Sequence, residues 1–165
     1  MPNELTEEWF IWERRRMEAT VRAFKDKLSQ ELKDAIAEAY NLDNEIGWDW
    51  RTSNGCNFVD ERYWPTIYFV PCVVHDYWCE KAKRAKTRRE ADRIRARGDY
   101  LFLLLNRAYG LPLWGSRAYT RPDGTKAPGV YVWNSSLGRF LGVRLGWWFG
   151  MSRRHVPKYD VMAIP

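Results

Sequence analysis

Cysteine and histidine are scarce in this 165-residue chain, with three of the first and two of the second. So few cysteines exclude a disulfide-dense scaffold, and Cys56, Cys72 and Cys79 lack the paired spacing of a zinc site. Long apolar runs are also missing, since no stretch reaches the roughly 18 residues that a membrane span requires. The acidic, tryptophan-bearing start lacks the pattern of a signal peptide. A soluble protein made in a cytoplasm is the expectation.

What the chain has in excess is aromatic and basic. Ten tryptophans and nine tyrosines suit large contacts with other proteins or with a membrane interface. The net charge of +6 is concentrated, because Lys81, Lys83, Arg84, Lys86, Arg88, Arg89, Arg93, Arg95 and Arg97 fall in one short region. Such a patch favours phosphate-bearing partners, lipid headgroups or nucleic acid, and its plainer account is a solvated helix face with a basic turn.

Periodicity predicts a mainly α protein. From Thr6 as N-cap, one long helix is expected to residue 40, with Val21, Phe24, Leu28, Leu32 and Ile36 as its apolar stripe. Residues 41–59, rich in Asn, Asp, Gly and Trp, read as an ordered loop. Residues 67–83 and 87–109 read as a central helix pair joined by a short basic turn, with a bend expected at Gly98. The turn signature Arg121-Pro122-Asp123-Gly124, between residues 117–120 and 130–133, predicts one small β-hairpin. After Asn134 or Ser135 as N-cap, a final helix is expected over residues 137–151. There Gly138, Gly142, Gly146 and Gly150 recur every fourth residue as a ridge for close packing. The division expected is residues 1–40 as a helical extension, 41–110 as the core, and 111–165 as hairpin, helix and tail packed on the core or on a partner.

The chemistry-bearing stretch is Cys72-Val73-Val74-His75-Asp76, where an imidazole and a carboxylate stand side by side in an apolar segment. Adjacent helical residues project about 100° apart, so His75 and Asp76 face different partners. Downstream, Glu90-Ala91-Asp92-Arg93 opens the second helix, and Asp92 could meet the imidazole if the two helices pack antiparallel. A core histidine bonded to a nearby carboxylate is the simpler account of such a pair.

Cys72-Val73-Val74-His75-Asp76 resembles the active-site helix of phospholipase A2, and Glu90-Ala91-Asp92-Arg93 resembles the helix that supplies its supporting aspartate. Asn54-Gly55-Cys56 looks like the start of that family's calcium loop. The order of these elements is most similar to the compact phospholipase A2-like proteins of bacteria and tailed bacteriophages, over about residues 52–109. The resemblance implies His75 as general base on water, Asp92 on its other ring nitrogen, and Ca²⁺ held by Asp76 with backbone carbonyls of Gly55, Asn57 and Val59. It also implies a Cys56–Cys72 disulfide. Three positions depart from the family: Asn57 and Val59 replace loop glycines, and Cys79 replaces a tyrosine that bonds the supporting aspartate.

Two functions follow. One is Ca²⁺-dependent hydrolysis of phospholipid acyl esters at a membrane. The other is a non-catalytic virion component, oligomeric or assembled with other virion proteins, built on a phospholipase A2-like scaffold. In both, the protein is made in a bacterial cytoplasm, and in the second it is carried in a phage particle.

Overall fold

The computed structural model describes residues 7–53, 69–110, 113 and 135–148. Among these residues every element is helical: α1 (Glu7–Ala23), α2 (Gln30–Tyr40), a 3₁₀ turn (Trp50–Thr52), α3 (Phe69–Lys83), α4 (Arg88–Ala108) and α5 (Ser136–Trp148). The expected hairpin, Gly150 and the tail lie outside the described residues.

The single helix expected over residues 6–40 is two helices. Past Ala23 the Phe24 carbonyl accepts the N–H groups of both Lys27 and Leu28, at 2.8 and 3.0 Å, which closes a turn. Ser29 then adopts extended backbone, and its side chain accepts the Leu32 N–H at 3.3 Å. A serine cap ends the run where no glycine or proline marks a break. The stripe crosses this turn intact, because Leu28, Leu32 and Ile36 are all buried and Val21 and Phe24 pack against them. Phe10 and Met17 of α1 enter the same core, so α1 is part of it and does not stand apart as an extension.

The central pair forms as expected. Thr87 caps α4 by accepting the Glu90 N–H at 3.1 Å, while the Glu90 carboxylate reaches back to the Lys86 N–H at 3.0 Å. The helix ends at Ala108 with Tyr109 as its C-cap, followed by Gly110 at φ 92°, a left-handed conformation that favours glycine. Pro71 sits in the first turn of α3, where its missing N–H leaves no bond unmade.

At Gly98 the backbone of α4 packs closely on α3. A Cβ placed on it would lie 2.4 Å from Trp78 Cβ, an atom that cannot move without its helix. Its role is close approach between helices. Gly98→Ala gains about 1 kcal/mol of helix propensity but overpacks the crossing by about 3 kcal/mol. A net loss of about 2 kcal/mol is expected in urea unfolding.

α2 is tied to α3 where Tyr77 Oη donates to Glu38 at 2.6 Å and Lys81 pairs with Glu38 at 3.2 Å. α5 packs on α4, capped by Ser135, whose hydroxyl accepts the Gly138 N–H at 2.9 Å. Arg139 of α5, buried, donates to Asn106 Oδ1 at 3.0 Å. The glycine ridge expected to pack closely does not do so at Gly146, where an added Cβ would meet nothing within 4 Å.

Residues 41–53 form an ordered loop around buried Asn44. Its Nδ2 donates to the carbonyls of Asn41 and Trp48, at 2.6 and 2.5 Å, and its Oδ1 accepts the Ile46 and Trp48 N–H groups. Trp48 and Trp50 anchor the loop in the core, with Trp50 against Tyr40 and Phe10. This anchoring delivers Ser53 to α3.

Candidate functional site

Val70 to Tyr77 is buried along its whole length, because α3 is flanked by α2, α4 and the 41–53 loop. Polar groups within such a segment must meet partners. His75 and Asp76 do so on two different sides, as their helical offset predicts.

His75 Nε2 lies 2.8 Å from Asp99 Oδ1 on α4, and its ring lies 4.8 Å from that of Phe102. The α4 carboxylate that meets His75 is therefore Asp99, not Asp92. Asp92 is exposed, with Arg88 at 4.0 Å one turn away. The two aspartates lie seven residues apart on one face of α4, and the Gly98–Trp78 crossing brings the second of them opposite His75.

Asp99 is fully buried and holds three cationic or imidazole groups. Arg95 Nε lies 2.9 Å from Oδ1, and Arg144 of α5 reaches Oδ2 at 2.8 Å. Burial alone would raise the Asp99 carboxyl, but the hydrogen bond and charge of His75, then Arg95 and Arg144, outweigh it and hold it below the ordinary value. The carboxylate stays ionised and fixes the imidazole. Arg95 also donates to Cys79 Sγ, and to the Val143 carbonyl at 3.3 Å. It is 1% exposed, so it does not belong to the surface patch in which its position in the sequence placed it. Within α4, Arg95 pairs with Asp99 one helical turn away.

Asp76 is buried, and its Oδ2 accepts the Ser53 hydroxyl at 2.6 Å. Burial pushes its carboxyl up to about 7, against the Ser53 bond and the charge of Arg95. Cys79 is a free thiol whose Sγ lies 3.8 Å from His75 Nδ1. Burial pushes this thiol well above its ordinary value, although Arg95 pulls the other way. Cys72 is disulfide-bonded, and its expected partner Cys56 lies outside the described residues.

Gly55, Asn57 and Val59, the loop residues named for calcium, also lie outside the described residues. The donors that are described beside Asp76 are the Ser53 hydroxyl, the His75 nitrogen and the Cys79 sulfur. Calcium prefers six to eight hard oxygens, and the nitrogen and sulfur of this set are not among them.

Sequence reasoning missed Ser53, Arg95, Asp99 and Arg144. One signal for Asp99 was present: it lies three residues before Phe102 and six before Leu105, on the stripe that α4 buries. Arg144 had none, because α5 meets α4 only in the tertiary structure.

With Nε2–H donated to Asp99, the lone pair of His75 is on Nδ1, the arrangement a general base requires. No known protein family, curated protein or solved structure matches this chain.

Proposed function

We propose that the protein is a phospholipase A2-like hydrolase of phospholipid acyl esters, in which His75 draws a proton from the attacking water. The observation that carries this is the 2.8 Å contact between His75 on α3 and Asp99 on α4. A buried carboxylate fixes the tautomer and balances the imidazolium as it forms. The proton passes from water to Nδ1 while oxygen attacks the ester carbonyl, and then from the imidazolium to the leaving alkoxide. Asp99 remains ionised throughout, because two guanidiniums share it.

Two surface features support a lipid substrate. Lys83, Arg84, Lys86, Arg88, Arg89 and Arg93 are exposed around the α3–α4 turn, where they suit anionic headgroups. On α5, Leu141, Leu145 and Trp148 are exposed at helical spacing, on the same helix that carries Arg144 to Asp99. No described helix is long and apolar enough to cross a membrane.

One observation favours the non-catalytic virion component instead: Cys79 Sγ lies 3.8 Å from Nδ1, on the side where the water would stand. Fatty-acid release from mixed anionic vesicles, with and without Ca²⁺, separates the two. Hydrolysis that falls by about 10²-fold or more in His75→Gln is the expected result. No release by the folded wild-type protein under either condition, together with its recovery in purified particles, would establish the virion role.

A further inference from the structure

We infer that His75, Asp76 and Cys79 form a binding site for a borderline-soft divalent cation of the zinc class. Their ligand atoms, one from each side chain, all lie within 4.8 Å of one another. The inference does not depend on hydrolysis, and it follows from the nitrogen, oxygen and sulfur donors that these three side chains bring together.

The geometry of the two softer donors is close to what such an ion needs. Sulfur and nitrogen bound tetrahedrally at roughly 2.3 and 2.1 Å lie about 3.6 Å apart. Cys79 Sγ and His75 Nδ1 are 3.8 Å apart, held one helical turn from each other on α3. An Asp76 carboxylate oxygen lies within 4.8 Å of both.

The surroundings are those of a metal site. A ligating histidine generally donates its other ring nitrogen to a carboxylate, and His75 Nε2 does so to Asp99 at 2.8 Å. The Asp76 carboxylate is itself held, by the Ser53 hydroxyl at 2.6 Å. Arg95 donates to Cys79 Sγ, a bond that a metal-bound thiolate accepts more strongly than a thiol does. A dication balanced by one thiolate and one carboxylate forms a neutral unit, beside the Asp99 carboxylate that Arg95 and Arg144 share. The buried site therefore gains no net charge. Occupancy would take Nδ1 from water, so the ion would inhibit hydrolysis at this centre.

The test is binding of Zn²⁺ and Co²⁺ to the full-length protein without reductant, so that the disulfide of Cys72 stays closed. One ion per chain by calorimetry is expected, and Co²⁺ should produce a thiolate-to-metal charge-transfer band. Both should be lost in Cys79→Ser, and affinity should fall at least tenfold in Asp76→Asn. His155→Ala, which removes the chain's second histidine, should leave both unchanged. Absence of the band in the wild-type protein would overturn the proposal, and that result needs no variant to fold. Binding that survives in Cys79→Ser, or that follows His155, would also overturn it. Because these readouts are independent of ester cleavage, an inactive protein that binds Co²⁺ through Cys79 would sink the hydrolase and leave the metal site standing.

Discussion

Asp99→Asn is expected to destabilise the protein by about 3–5 kcal/mol, the usual cost of removing one partner from a buried charge network. The loss falls on three groups at once. Arg95 and Arg144 are left without the carboxylate that meets them at 2.9 and 2.8 Å, and His75 Nε2 loses its charged acceptor. Asp92→Asn is the control, expected to change stability by less than about 0.5 kcal/mol because its contact with Arg88 is exposed. Urea unfolding of both variants at pH 7 measures the difference. A larger cost for Asp92 would mean that α3 and α4 pack in another register. The effect also has a pH signature, because the folded-state carboxyl of Asp99 is held below its ordinary value. Its contribution is complete above the unfolded carboxyl range and disappears as pH falls through the lower folded value. The gap between wild type and Asp99→Asn should therefore narrow on acidification.

Asp76→Asn is expected to act in the opposite direction. Burial raises this carboxyl from 3.8 to about 7, so between those values the folded protein binds a proton that the unfolded chain does not. Stability linked to Asp76 is complete below about pH 4, declines as pH rises towards 7, and is level above that. At about 1.4 kcal/mol per tenfold change, the shift from 3.8 to about 7 means that the buried carboxylate costs the folded protein about 4 kcal/mol at pH 8. Asparagine keeps the site neutral and retains a partner for Ser53. The variant should thus exceed wild type by about that amount at pH 8 and match it within about 1 kcal/mol at pH 4. Urea unfolding with a chelator present is the measurement. If wild type is as stable as the variant at pH 8, the ionised carboxylate has a countercharge that the described residues do not provide. The same variant weakens the proposed cation site, so its stability gain at pH 8 should shrink when Zn²⁺ is added.

Asp76 and Asp99 illustrate how far the site could be read in advance. The His75–Asp76 pair was legible because two ionisable groups in an apolar helical run must find separate partners, and they do, in Asp99 and Ser53. Which partner was not legible. Asp92 and Asp99 differ by two helical turns and present the same chemistry to the same side, so choosing between them needs the sliding register of two helices. Ser53 was equally hidden, because its position depends on the Asn44-centred loop and on tryptophans buried from several elements.

By itself the sequence determined what short-range physics controls: the helical character, the Ser135 cap, the α3–α4 turn, and the burial of a polar pair inside an apolar run. These depend on contacts within a few residues along the chain. Ser29 belongs to the same class, and its cap was present in the sequence but masked by a stripe that continues across the turn. Tertiary structure alone decided that Gly98 meets Trp78, that Asp99 rather than Asp92 faces His75, and that Arg95 and Arg144 converge on one carboxylate from two helices. Those outcomes depend on where rigid helices touch, which is a collective property of packing and not of any local segment.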